Sequence, residues 1–203
     1  MLLVRHGQTP TTGSTLPGRA PGLHLADAGR AQAEAVAERL AEVKKISAVY
    51  ASPLERTKET AAPIAKVAKQ RVRAERGLLE CDFGSWTGKK LKDLMKKPEW
   101  RTVQRYPSGF RFPDGESFAE MQNRITSTLH RLADAHRGGV VVAVSHADPI
   151  KAAVAHALGT HLDLFQRIVI SPCSVTAILY GTEGPVVLSV NSITGPLSTL
   201  APS

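Results

Sequence analysis

The sequence predicts an α/β protein of three layers, α/β/α, with a mainly parallel central sheet, and three observations carry that prediction. Short apolar runs alternate with longer stretches of helical periodicity. Val140 to Val144 is apolar without alternation and β-branched, as expected of a strand covered on both faces. Polar clusters stand at the exits of three such runs, Arg5-His6-Gly7, Ser52 to Arg56 and Ser145-His146, and sheets of this kind bind ligands beyond the carboxyl ends of their strands.

Leu2 to Val4 reads as the first strand, stopped by Gly7, and Thr9 to Pro21 is rich in Thr, Gly, Ser and Pro and reads as loop. Ala31, Ala35, Val36, Leu40 and Val43 fall at helical spacing and predict a helix over Asp27 to Lys44. Ala48 to Ala51 is the next strand. Ser52-Pro53-Leu54-Glu55 has the form of a capping box with proline at the first helical position, and Pro63 is expected to kink the helix that follows. Ser117-Phe118-Ala119-Glu120 repeats the box, ahead of a long helix lined by Phe118, Met121, Ile125, Leu129 and Leu132 and closed by Gly138-Gly139. After the strand Val140 to Val144, Asp148-Pro149 opens a helix ended by Gly159, and Ile168 to Ser171, Val175 to Leu179 and Val186 to Val190 read as further strands.

With 203 residues, 42% hydrophobic and 22% charged, residues 1–203 are expected to form one domain with a sizeable core. Its longest uninterrupted apolar stretch is far short of the roughly 18 residues that a spanning helix requires, so no membrane partner is expected. The start, Met1-Leu2-Leu3-Val4-Arg5-His6, lacks the basic region, apolar stretch and cleavage site of a secretory signal, and a cytoplasmic location is expected. Cys81 and Cys173 show no Cys-x-x-Cys spacing and read as small core residues of a reducing compartment.

The net charge of +8 is concentrated. Eight Lys and Arg against Asp93 and Glu99 leave +6 between Ser85 and Arg111, and seven of the ten aromatics lie between Phe83 and Phe118. Residues 85–116 are therefore expected to form a basic, partly helical lid or insertion over the site. Two readings of it stand side by side: a face that draws in an extended anionic ligand, nucleic acid included, and a solvated surface with a few core anchors.

Two histidines and two arginines at the exits of separate strands, or in the first turn of the next helix, point to one crevice. Arg5 and Arg56 offer forked donors suited to a tetrahedral oxyanion, and the helix after His146 adds backbone N–H groups and the positive end of its dipole. Phosphate fits this best. A metal site is the competing reading of the two histidines, but a zinc centre needs a third close ligand and would not sit beside two arginines.

Arg5-His6-Gly7-Gln8-Thr9, Gly18-Arg19, Leu25 to Gly29, Ser52 to Ala61, Leu78 to Gly88 with Glu80, Phe112 to Ser117 and Val144-Ser145-His146, in this order, resemble the histidine phosphatase superfamily, which includes cofactor-dependent phosphoglycerate mutase. The resemblance spans Leu2 to Gly159. It implies a nucleophilic His6, a phosphate held by Arg5, Arg56 and His146, and Glu80 as proton donor, with Asp82 a rival acid in the same loop. Gln8, Thr9, Arg19 and Ala147 are the remaining expected substrate contacts. Thr12, Ala26 and Ala147 depart from the residues usual in the family, Asn, Thr and Gly, and the loop after Arg19 is shorter than in glycolytic mutases.

The resemblance implies a phosphatase that hydrolyses a small or medium organic phosphate through a phosphohistidine at His6, with no metal and no cofactor. A phosphomutase using the same site is the alternative, and a non-catalytic phosphate or nucleic-acid binder the third reading. The expected partner is a small-molecule phosphate ester, and nucleic acid is disfavoured because a binder has little use for a proton donor. His24, His130, His136, His156 and His161 form no constellation in the sequence.

Overall fold

The computed structural model describes residues 1–197. Six strands form one sheet in the order β3-β2-β4-β1-β5-β6: β1 (Leu2–Arg5), β2 (Ile46–Ala51), β3 (Val72–Ala74), β4 (Val140–Ser145), β5 (Val175–Gly181) and β6 (Gly184–Ser192). The first four run parallel to one another, and β5 and β6 extend the sheet with antiparallel pairings. Six helices accompany them, α1 (Asp27–Ala41), α2 (Glu55–Val67), the short α3 (Leu91–Leu94) and α4 (Trp100–Arg105), α5 (Phe118–Ala135) and α6 (Ala147–Ala157).

Side chains alternate across each strand, and here both faces are buried. Leu2, Val4, Val142 and Val144 face α1 and α2, where they meet Val36, Leu40, Ala61 and Ile64. Leu3 and Ala143 face α5 and α6, where they meet Ile125, Leu129, Ile150 and Val154. That double burial is why β4 reads as an unbroken apolar run. Among the described residues no helix is long and apolar enough to cross a membrane.

Several local expectations are corrected. Ser117 does close a capping box with Glu120, but Ser52 does not cap α2: that helix starts three residues later, with Leu54 at its cap and no side-chain cap bond. Pro63 lies inside α2, which continues to Val67. α6 begins at Ala147, capped by His146, so Asp148 sits within its first turn. Ile168 to Ser171 is not a strand. Its backbone groups are taken by side chains and turns: the Ile170 carbonyl by Arg5 Nη1 at 2.6 Å, the Ser171 N–H by Asn191 Oδ1, the Ile168 N–H by the Phe165 carbonyl of the preceding 3₁₀ turn, Leu162–Arg167, and the Ser171 carbonyl by the Ser174 N–H. β3, only three residues long, has no counterpart in the sequence pattern.

The basic aromatic segment resolves into an inside and an outside. Phe83, Trp86, Phe110, Phe112 and Phe118 are buried and pack edge to face, with ring centroids about 5–6 Å apart. The lysines and arginines point outward, Lys97 alone being half-buried. These five rings are therefore core anchors, Phe83 also reaching the wall of a cavity, whereas Trp100 is half-buried and Tyr106 exposed.

Candidate active site

The three parallel strands at the centre of the sheet deliver the site. β1 ends at Arg5 and places His6 just beyond it, β4 ends at Ser145 and places His146, and the chain leaving β2 turns into α2 with Arg56 in its first turn. Glycine at position 7 is imposed by packing: a Cβ there would collide with the backbone of Gly29 in α1, and one at Gly29 would collide with Gln8. α1 thus lies directly against the segment that carries His6.

Arg5, His6, Thr9, Glu80 and Ala147 line one cavity of about 380 Å³. Arg56 and His146, both fully buried, do not line it themselves; they form the layer beneath its floor, behind His6. Arg56 Nη2 is 3.3 Å from His146 Nδ1, and the rings of His6 and His146 lie 5.2 Å apart, edge to face.

The hydrogen bonds fix both tautomers. His6 Nδ1 is 2.8 Å from the Gly7 carbonyl, which can only accept, so Nδ1 carries the proton and Nε2 keeps its lone pair. A guanidinium can only donate, so His146 Nδ1 accepts from Arg56, and His146 Nε2–H donates to Ser52 Oγ at 2.9 Å. That bond is the role the structure gives Ser52 in place of a helix cap. Burial, then the Arg56 charge, pushes His6 down to about 3, and the same causes hold His146 well below the ordinary histidine value, so both rings are neutral at neutral pH.

The arginines are the cationic counterpart. Burial lowers both guanidinium pKa values from their ordinary value, yet arginine stays charged in proteins. Arg56 donates to the Gly18 carbonyl at 2.7 Å. Arg5 Nε, Arg56 Nε and Arg56 Nη1 are buried without a partner among the described residues, and buried N–H groups of this kind call for an acceptor. Glu80 is buried beside them and accepts from the Cys81 N–H at 3.0 Å. Burial, then the charge of Asp148, raises it to about 7 against the opposing pull of that N–H and of Arg56 and Arg5.

Two expected contacts lie elsewhere. Gln8 does not line the cavity; its backbone holds the start of α1, accepting from Ala26 N and donating to Gln32. Arg19 does not line it either, because its guanidinium is taken by the Glu80 carbonyl, Asp82 and Glu116. In their place the mouth presents Thr12, Asp148, Lys151 and Gln166, with Leu16, Leu91 and Ile168 as apolar wall. Lys151 follows His146 on α6 and contacts Asp148 at 3.3 Å and Gln166 at 3.1 Å. A spacing of four from Ala147 on one helix is the signal that places Lys151 on the site's face.

The model of the histidine phosphatase superfamily, branch 1, matches residues 1–193. The chain belongs to that family. It is 32% identical over 196 residues to phosphoserine phosphatase 1 of Hydrogenobacter thermophilus, covering 94% of this chain and 91% of that one. It is 37% identical over 160 residues to phosphoglycerate mutase-like protein 4 of Arabidopsis thaliana, covering 74% and 67%. A structure of a phosphoserine phosphatase variant from Entamoeba histolytica with phosphoserine superposes with a TM-score of 0.86 at 25% identity, covering 95% of this chain and 96% of that one. The chain is accordingly an enzyme of phosphoryl transfer, a phosphatase of this family.

Proposed function

We propose that the chain hydrolyses small organic phosphomonoesters through a phosphohistidine at His6, without a metal. The carrying observation is the bond from His6 Nδ1 to the Gly7 carbonyl, which leaves Nε2 as a free nucleophile beside half-buried Arg5 and buried Arg56. Nε2 attacks phosphorus in line with the ester oxygen, and the N–P bond forms as the P–O bond breaks. Arg5 and Arg56 meet the charge on the equatorial oxygens, the largest contribution to rate, while His146, whose one N–H is held by Ser52 Oγ, orients Arg56 through Nδ1 instead of meeting an oxygen itself as the resemblance implies. Protonated Glu80 gives its proton to the departing alkoxide. The resulting carboxylate then takes a proton from water as that water attacks phosphorus, releasing inorganic phosphate, neutral His6 and protonated Glu80.

The leaving group lies at the mouth, against Thr9, Thr12 and Lys151, with Leu91 as the contribution of residues 85–116 to the wall. Relatives named for phosphoserine support phosphoserine as the first substrate to try. The test is phosphate release from 4-nitrophenyl phosphate and phosphoserine in the presence of EDTA, with isomer formation from phosphoglycerates read in parallel. Release should persist in EDTA and fall by at least about a thousandfold in His6→Ala. An alkaline quench of the working enzyme should trap phosphate on histidine. Undiminished release by His6→Ala would overturn the reading, and isomer formation exceeding release would replace it with the mutase.

A further inference from the structure

We propose that Glu116, through Arg124 and Arg19, is a positioning residue for the proton donor, setting both the place of Glu80 and the pH at which it gives up its proton. The inference rests on Glu80 being the acid.

Residues 79–83 belong to no helix or strand, so their carbonyls must find partners outside a backbone ladder. Side chains supply them. Arg124 Nη1 donates to the Gly77 and Leu79 carbonyls at 2.8 and 2.9 Å, Ser145 Oγ donates to Leu78 at 2.8 Å, and the Glu80 carbonyl accepts from Arg19 Nε at 2.8 Å and Arg124 Nη2 at 3.3 Å. Every carbonyl from 77 to 80 accepts a hydrogen bond from a side chain. The carboxyl of Glu80 itself has one protein bond, to the N–H of its own neighbour Cys81. Its position in the cavity is therefore inherited from the backbone.

Glu116 organises the two arginines. Its carboxylate takes Arg124 through both Nε and Nη2 at 2.8 Å, takes Arg19 Nη2 at 2.9 Å, and accepts the Asp82 N–H at 3.2 Å. The paired fork fixes direction as well as charge. The loop of Glu116 is stapled to the loop of Glu80 by Glu116 N to the Asp82 carbonyl and Ser85 N to the Pro113 carbonyl, each at 2.9 Å. Side chains at Gly84 or Gly115 would collide with the opposing backbone. The Pro113-Asp114-Gly115-Glu116 segment thus has a function at the site without reaching the cavity.

The electrostatic consequence has a definite sign. Glu116 neutralises one of two arginine charges held at the Glu80 carbonyl. Asp82, 3.4 Å from Arg19 Nη1, offsets the other, so removing Glu116 leaves one arginine charge uncompensated at the Glu80 carbonyl, which favours the carboxylate and lowers the pH at which the acid form is lost.

The experiment compares Glu116→Gln with the intact protein on phosphoserine, whose alkoxide needs a proton, and on 4-nitrophenyl phosphate, whose phenolate does not. kcat/KM is the quantity read, because it stops at formation of the phosphohistidine. It should fall by about tenfold to a hundredfold on phosphoserine and by less than about twofold on the aryl ester. The alkaline limb on phosphoserine should move to lower pH, and vanadate affinity should be unchanged. Arg19→Gln, at a more exposed position that leaves the Arg124 fork intact, should give the same split in weaker form and covers the case in which Glu116→Gln fails to fold. Equal losses on both substrates, or an unmoved limb, would overturn the proposal. A Glu80→Gln enzyme without any split would instead refute Glu80 as the acid, which separates the two failures.

Discussion

The floor and the mouth of the cavity are built differently. His6, Arg56 and His146 are buried, and with Arg5 they stand within two residues of the end of a strand or the start of a long helix. Thr12, Leu16, Gln166 and Ile168 at the mouth come from loops and a 3₁₀ turn. Groups proposed to meet the phosphoryl oxygens are thus tied to the sheet, whereas those proposed to meet the leaving group, Asp148 and Lys151 of α6 apart, sit on segments whose length and sequence can vary without disturbing it. Changes at the floor should reduce turnover of every phosphoester alike, and changes at the mouth should discriminate among them.

The largest effect is expected at Arg56. Lysine keeps the charge but loses the fork, whose Nε and Nη1 are buried without a partner and whose Nη2 donates to His146. Arg56→Lys should lower kcat/KM by about a hundredfold to a thousandfold, equally on alkyl and aryl phosphates, and weaken vanadate inhibition in step. A strong preference for one leaving group in this variant would break the distinction between floor and mouth.

The same distinction explains what was legible in the sequence. Floor residues follow regular elements, so periodicity located them: the unbroken run Val140–Val144 ends at Ser145-His146, and Leu2–Val4 ends at Arg5-His6-Gly7. Gly7 was legible as a strand stop, but its contact with Gly29 required the fold. Ser52 misled because its capping pattern is local, whereas its actual partner, His146, is 94 residues away. Arg19 misled for a related reason: a motif position records that a residue is near the site, not which way its guanidinium turns. The aromatic segment could not be divided from composition, since α3 and α4 are too short to show a periodic face. Lys151 carries no signal of its own in the sequence, because its helix is marked there by its cap and not by its cavity-facing side.

Glu80 lies between the two regions, and its titration joins them. With Glu80 raised to about 7, the acid form needed for alkoxide departure predominates below that pH and is lost above it. kcat/KM for phosphoserine should therefore decline as pH rises through about 7. Glu80→Gln should remove that limb and lower the rate about a hundredfold, with a smaller loss on aryl phosphates. Asp148 raises Glu80 as a like charge, so Asp148→Asn should shift the limb to lower pH. A limb unmoved in both variants would assign it to another group.

The smallest effect, and the sharpest test of the mouth, is at Lys151. Its ammonium has three donors, and Asp148 and Gln166 occupy two of them at 3.3 and 3.1 Å, on a side chain 17% exposed in the cavity wall. The third donor is directed by the same tetrahedral geometry away from both, and an anionic leaving group would meet it. Lys151→Met should raise KM for 3-phosphoglycerate about fivefold to tenfold while leaving glycerol 3-phosphate, the same skeleton without the carboxylate, within about twofold. Equal changes on the two substrates would mean that Lys151 only holds Asp148 and Gln166 in place, and that the specificity of the mouth resides in its hydroxyl and apolar surfaces.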